Sequence, residues 1–245
     1  MKKIIIVLFL LFLPSISWSD EYVLVMSKED NVCQHMLKLY NEDLRKYGEI
    51  KYDEHEEFNA IKWEEKKYYT TYPDGKKHYP MSPPDTVLIS RFDINHDGKE
   101  EIVVKQAGFL KGILSEALYY FNGEDADYFK DAEFDVYLLY TKATGSVGTG
   151  AFKTNVYGLK ELPKIFIGNV LGKETYNHYS LGGHFYVNPF VFKGSYYVDM
   201  REKQDNPNPY RWLVILRYDK DNQIKDTCYF LKASNCKNNK PKRRK

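Results

Sequence analysis

The stretch from Asp93 to Glu101 places oxygen-bearing side chains at a spacing that suits a divalent cation. Asp93, Asn95 and Asp97 occupy positions 1, 3 and 5 of the stretch. Gly98 follows at the point where a sharp turn needs a backbone conformation that most residues resist. Ca²⁺ takes six to eight oxygen ligands at about 2.3–2.6 Å, and a loop of this kind can wrap around it. The spacing therefore predicts a calcium-binding loop.

Two further residues complete the predicted ligand set. We expect Lys99, at position 7, to offer its backbone carbonyl oxygen, and Glu101, at position 9, to ligate directly or through a water. Mg²⁺ is less suitable, because it demands near-ideal octahedral geometry and keeps several waters. The alternative is a turn without metal, since Asp, Asn and Gly are also common turn residues. The predicted Ca²⁺ ligands are Asp93, Asn95, Asp97, Lys99 and Glu101.

The loop departs from an EF-hand, which would continue to a bidentate Glu at position 12, where this chain has Val104. The pattern D-x-N-x-D-G-x-x-[DE]-hydrophobic, between two predicted strands, instead resembles the metal loops of FG-GAP and VCBS-type repeats in integrin-like β-propellers. The similarity runs from Val87 to Gln106. The glycine-rich start of those repeats is absent, and the chain has one good copy of the loop. The resemblance thus implies the ligand set and a structural Ca²⁺ that braces a hairpin.

The N-terminus has the features of a secretory signal peptide. Two lysines precede an apolar run from Ile4 to Leu13, and Ser17-Trp18-Ser19 supplies the small-x-small pattern of a cleavage site. The apolar run is too short for a membrane-spanning helix, which needs around 20 residues. We predict cleavage after Ser19 and a mature protein without a membrane span, located in the periplasm or outside the cell.

The three cysteines are Cys33, Cys228 and Cys236, and their odd number leaves one thiol unpaired. An exported protein can form disulfides. The sequence alone does not decide which two residues pair, because connectivity cannot be deduced from spacing. No motif near any of them indicates a nucleophile, so we interpret them as structural.

The charges are nearly balanced, with 36 Lys and Arg against 34 Asp and Glu. Six of the basic residues lie in the segment 237–245, which we predict to be a disordered, solubilising tail. The rest of the mature chain is mildly acidic and offers no basic patch, so we expect no nucleic-acid partner. A protein or glycan partner fits the exported, aromatic-rich composition, although no motif identifies it.

The sequence predicts a mainly β fold with an N-terminal α-helix. A capping-box-like start at Ser27, apolar residues at spacings of three and four, and Gly48 as a stop indicate the helix. Beyond Asp85, apolar runs separated by turn signals predict antiparallel hairpins in a meander, either a curved sheet or irregular propeller-like blades. The predicted hairpin turns are Asn122-Gly123, Lys193-Gly194 and Asp219–Asn222.

The expected organisation has five segments. They are a signal peptide at 1–19, a helical segment at 20–67, a linker or long loop at 68–84, a β domain with the calcium loop at 85–236, and the basic tail at 237–245. The glycine-rich stretch 145–150 lacks the order of a phosphate-binding loop, and we interpret it as a flexible surface loop.

The sequence favours a non-catalytic binding module, with an inhibitor or immunity-type protein as one form of it. One alternative is a hydrolase of cell-wall material or polysaccharide, for which His178 and His184, near Glu174, are candidate residues. A further alternative is a purely structural envelope protein. No nucleophile-elbow, zinc-protease or paired-carboxylate signature supports catalysis. We therefore predict no catalytic residues.

Overall fold

The computed structural model describes residues 21–81, 86–110, 113–148, 156–157, 185–202 and 212–232. Several predictions from the sequence fall outside these residues and stay predictions. They concern the signal peptide, Cys236, the basic tail, and the candidate residues Glu174, His178 and His184.

Strands dominate the described chain, and the predicted mainly β fold with an N-terminal α-helix is confirmed. The strands are β1 (Tyr22–Ser27), β2 (Glu64–Thr71), β3 (Lys77–His78), β4 (Thr86–Phe92), β5 (Glu101–Leu110), β6 (Ile113–Phe121), β7 (Glu133–Asp135), β8 (Gly145–Gly148), β9 (Val156–Tyr157), β10 (Phe185–Phe192), β11 (Ser195–Glu202), β12 (Trp212–Tyr218) and β13 (Ile224–Lys232). The helices are α1 (Asp30–Tyr47), α2 (Glu56–Asn59), α3 (Tyr137–Thr141) and two 3₁₀ helices, Tyr52–Glu54 and Gly123–Phe129.

The strands form two sheets. The first has the order β1-β13-β12-β11-β10 and is antiparallel throughout. The second has the order β3-β2-β4-β5-β6-β8-β9, with β7 added beside β2. Two of its pairs, β2 with β7 and β8 with β9, are parallel. The two sheets pack face to face rather than as propeller blades, and apolar side chains from both inner faces share one core.

Helix α1 covers the outer face of the first sheet, as its apolar stripe requires. It ends at Gly48, whose φ of +76° is accessible to glycine and whose N–H donates to the Leu44 carbonyl at 3.0 Å. A disulfide between Cys33 and Cys228 ties α1 to β13, which resolves the pairing that the sequence left open. The buried residues of the helix are Val32, Cys33, Met36, Leu39, Tyr40, Asp43 and Leu44.

Two local predictions were wrong. The stretch 145–148, expected to be part of a flexible loop, is the buried strand β8. A Cβ on Gly145 would lie 2.4 Å from the buried Tyr120 ring, so glycine serves close packing here rather than flexibility. Asn122-Gly123, expected to be a hairpin turn, instead opens a 3₁₀ helix, because Phe129 folds back onto Phe121 with ring centroids 5.0 Å apart.

Strands also lie in segments that the sequence did not assign to the β fold. The helical segment 20–67 contributes β1 to the edge of the first sheet and the start of β2 to the second. The stretch 68–84, expected to be a linker, supplies the end of β2 and the short strand β3 in its described part. The first and last described strands, β1 and β13, pair with each other, so the N-terminal segment belongs to the β fold.

No helix among the described residues is both long enough and apolar enough to cross a membrane.

Candidate metal loop

The predicted calcium loop connects β4 to β5, which are neighbouring antiparallel strands of the second sheet. The ladder between them closes at the pair Phe92–Glu101, so the loop begins and ends at adjacent points of the sheet. The strands on either side were expected from the sequence, and they anchor both ends of the loop on rigid structure.

Inside the loop, side-chain oxygens accept hydrogen bonds from the loop's own backbone. The Asp93 carboxylate accepts from the N–H groups of Asp97 and Gly98, each at 3.0 Å. The Asn95 amide oxygen also accepts from the Asp97 N–H, at 3.1 Å. Gly98 has a φ of +88°, as the sharp turn requires, and His96 also adopts a positive φ of +61°. The backbone thus wraps around the side chains that were predicted to bind the cation.

Glu101 is the buried member of the predicted ligand set, with 3% of its surface exposed. One of its carboxylate oxygens accepts a hydrogen bond from the Ile94 N–H at 3.0 Å. Burial raises the pKa of Glu101 to about 7, and the negative charges of Asp97 and Asp93 act in the same direction. A bound cation would offset the negative charge of the buried Glu101 and of the two aspartates beside it.

Lys99 lies in the loop, and its N–H donates to the Asp97 carboxylate at 2.8 Å. The predicted role of its carbonyl oxygen as a ligand stays a prediction. Among the residues that the structure describes, no three Asp, Glu, His or Cys side chains are grouped to hold a metal ion. A Ca²⁺ ion here would therefore also need the Asn95 amide and backbone oxygens, which are hard donors of the kind it prefers. Each carboxylate retains lone pairs beyond those that accept backbone N–H groups.

The loop also contacts the opposite sheet, which the sequence did not predict. The Asn95 side-chain NH₂ donates to the Asn222 side-chain oxygen at 2.9 Å, in the turn between β12 and β13. The His96 ring nitrogen lies 3.1 Å from the carbonyl oxygen of Tyr196 in β11. Burial lowers the pKa of His96, which favours a neutral ring that donates to this carbonyl. The loop therefore joins the two sheets at one end of their interface.

The stretch Asp219–Asn222 is a turn between β12 and β13, as predicted. The Asp219 carboxylate accepts from the N–H groups of Asp221 at 3.0 Å and Gln223 at 2.9 Å. Asn222 adopts a positive φ of +59°, which presents its side chain to Asn95. This turn is a partner of the metal loop rather than a second copy of it.

Comparison of this chain with protein families, with curated proteins and with solved structures finds no match.

Proposed function

We propose that this chain is an exported Ca²⁺-binding protein that acts as a non-catalytic binding module in the periplasm or outside the cell. The observation that carries the proposal is the loop from Asp93 to Glu101, which turns inward around its own acidic side chains and contacts the opposite sheet. Ca²⁺ in this loop has a structural role, because it would brace the junction of the two sheets.

Export is supported by the disulfide between Cys33 and Cys228, because such bonds persist in oxidising compartments and are rare in the cytosol. The signal-peptide pattern of residues 1–19 supports the same conclusion.

A binding role is supported by the hairpin of β2 and β3, which exposes large side chains. Tyr72 is 52% exposed, Tyr79 is 50% exposed, and Met81 is fully exposed. The Tyr72 ring packs edge-on against the His78 ring, with ring centroids 4.3 Å apart. The rings of Tyr69 and Tyr79 pack in the same way, with centroids 6.2 Å apart. Tyrosines held by their neighbours lose little side-chain entropy on binding and are common anchors at protein interfaces. A protein or glycan partner on this hairpin fits both the general proposal and the inhibitor-type alternative.

The test is thermal unfolding of the mature protein in millimolar CaCl₂ and in EDTA. A weak extracellular-type site at about ten times its Kd adds roughly 1.4 kcal/mol of stability, which raises the Tm by several degrees at most. We expect this rise in the wild-type protein and its loss in Asp97→Ala. The matched control is Asp221→Ala, which removes an exposed acid from the neighbouring turn and leaves the rise intact.

The diagnostic quantity is the difference between the two conditions in each variant. Asp97 accepts a backbone hydrogen bond from Lys99, so Asp97→Ala is expected to lower the Tm in EDTA as well. An equal Tm of the wild-type protein in CaCl₂ and EDTA would show that the loop is only a turn.

A further inference from the structure

A cavity of about 380 Å³ lies beside the end of β4, on the side where β2 begins. Its volume falls within the range of small-molecule sites, which is about 300–1,000 Å³. The cavity is lined by Ala60, Ile61, Lys62, Glu64, Ile89, Ser90, Arg91, Phe92 and Tyr196.

The cavity exists because the chain leaves the sheet at this point. The ladder between β2 and β4 stops at the pair Glu64–Ile89, so the last part of β4 is paired with β5 on one side and has no paired strand on the β2 side. The chain before β2 turns away and is fixed there by the Ser90 hydroxyl, which donates to the Lys62 carbonyl at 2.8 Å. The opening is therefore a fixed feature of the fold.

The floor of the cavity is apolar and partly aromatic. Ile61, Ile89 and Phe92 line the cavity from the protein core, and no more than 9% of the surface of any of them is exposed. The rings of Phe92 and Tyr196 stack with centroids 4.5 Å apart. Tyr196 is the less buried ring of this pair, so a planar aromatic group entering the cavity would lie against Tyr196, and such contacts are favourable beyond simple burial of apolar area.

The rim carries more positive than negative charge, and its charged side chains form no ion pairs with other described residues. Across the described part of the chain, the exposed Arg91 side chain has no ion pair or hydrogen bond. Among the described residues, Lys62 donates only to the neutral carbonyl of Asn59, at 3.1 Å, and forms no ion pair. Glu64 is the one acid among the lining residues. Two cations and one anion around an apolar floor favour a ligand with one negative charge.

We propose that this cavity binds a small aromatic monoanion, with its ring against Tyr196 and its acidic group at the rim that carries Arg91 and Lys62. The ligand class goes beyond the proposed calcium-dependent role and does not depend on it, because none of the predicted cation ligands lines the cavity. The ring would supply most of the binding energy, while the two cations would select for the negative charge.

The test uses two fluorescent probes that differ in one group. 8-Anilinonaphthalene-1-sulfonate is an aromatic monoanion, and N-phenyl-1-naphthylamine has the same rings without the sulfonate. We expect saturable fluorescence enhancement with the folded protein for the sulfonate, and weaker binding of the neutral probe. In NMR spectra of the labelled protein, the sulfonate is expected to shift the amide signals of residues 60–64 and 89–92.

Two variants that change the charge of the rim in opposite directions provide a stricter test. Arg91→Gln removes a rim cation and is expected to weaken sulfonate binding by roughly twofold to fivefold, the size of an exposed ion-pair contribution. Glu64→Gln removes the opposing anion and is expected to tighten binding by a similar factor. Neither variant is expected to change binding of the neutral probe. Lys38→Gln, on the exposed face of α1, is the matched control and leaves both probes unaffected.

Three results would each overturn the proposal. They are no saturable binding of the sulfonate, equal affinity for both probes, and amide shifts that lie away from the cavity. Circular dichroism of each variant confirms that the sheets are intact, because partly unfolded chains also bind this sulfonate.

Discussion

Asp199 in β11 is a fully buried acid whose two carboxylate oxygens have different surroundings. The hydroxyls of Tyr40 and Tyr52 donate to one carboxylate oxygen, at 2.6 and 3.0 Å. Within the described residues, the other oxygen has no hydrogen-bond partner. Burial raises the pKa of Asp199, and the positive charge of Arg201 opposes that rise. The charge therefore costs stability whenever this carboxyl ionises.

The pH dependence of stability follows from the raised pKa of Asp199. When folding raises the pKa of a carboxyl, the group stabilises the folded protein fully at pH values below its pKa in the unfolded chain. This stabilisation is lost as the pH rises through its pKa in the folded protein. Asp199→Asn keeps an oxygen for the tyrosines and removes the charge. We expect the stability of Asp199→Asn, relative to wild type, to improve as the pH rises from about 4 to about 8.

Urea unfolding across this pH range measures the effect. Asp53→Asn, which changes an exposed acid on the nearby 3₁₀ helix, is the control and is expected to follow the wild-type curve. If the free energies of unfolding of Asp199→Asn and wild type change in parallel with pH, ionisation of the buried Asp199 does not destabilise the protein.

The residues that the sequence predicted are those whose partners are close along the chain. Asp93 and Gly98 interact within one turn, so their spacing carries the information. Asn95 and Asn222 lie 127 positions apart, and Tyr40 and Asp199 lie 159 positions apart. Such contacts depend on how the sheets stack, and no local pattern encodes them.

At the level of elements, local signals worked where local packing decides the structure. Helix α1 was predictable because its apolar stripe and its glycine stop are contained in one segment. The turns at Lys193-Gly194 and Asp219–Asn222 formed as predicted, since strands long enough to pair flank each of them. Asn122-Gly123 failed because Phe129 packs on Phe121 and draws the chain into a 3₁₀ helix. Tertiary packing overrides turn propensity there.

The disulfide between Cys33 and Cys228 should be the strongest single link between elements. It joins α1 to β13 across 195 positions, so it removes much freedom from the unfolded chain. The chain-entropy model gives a ceiling of about 5 kcal/mol for a loop of this length. We expect the double variant Cys33→Ala, Cys228→Ala to lose a large part of that amount in urea unfolding. Cys236→Ala should unfold like the wild type, and an unchanged double variant would show that the bond contributes no stability.

At the scale of the whole molecule, the described residues link the two sheets by polar contacts at two places, in addition to their shared core. At one place, Lys105 of β5 contacts Asn188 of β10 at 2.8 Å, and Glu116 of β6 accepts from the Val187 N–H at 2.9 Å. Glu116 thereby satisfies one backbone N–H of β10, which is the last strand of its sheet and has no further strand to accept from it among the described residues. At the other place, the metal loop contacts the turn that precedes β13.

The second link predicts that Ca²⁺ acts beyond its own loop. If the cation orders the loop, Asn95 holds Asn222 more firmly, and the turn between β12 and β13 should open less often. Coupling of this kind is reciprocal, so loss of the Asn222 side chain should weaken the effect of Ca²⁺ on stability. Asn222→Gly is the appropriate variant, because Asn222 has a positive φ that glycine adopts without strain.

Hydrogen exchange with and without Ca²⁺ measures this coupling directly. In the wild-type protein, Ca²⁺ should slow exchange in the loop and also in residues 218–224 on the opposite sheet. In Asn222→Gly, the loop should still be protected, whereas the protection of the turn should disappear. Equal protection of the turn in both proteins would mean that the apolar core alone couples the sheets. Protection of the loop alone in the wild type would restrict the cation to bracing the hairpin of β4 and β5.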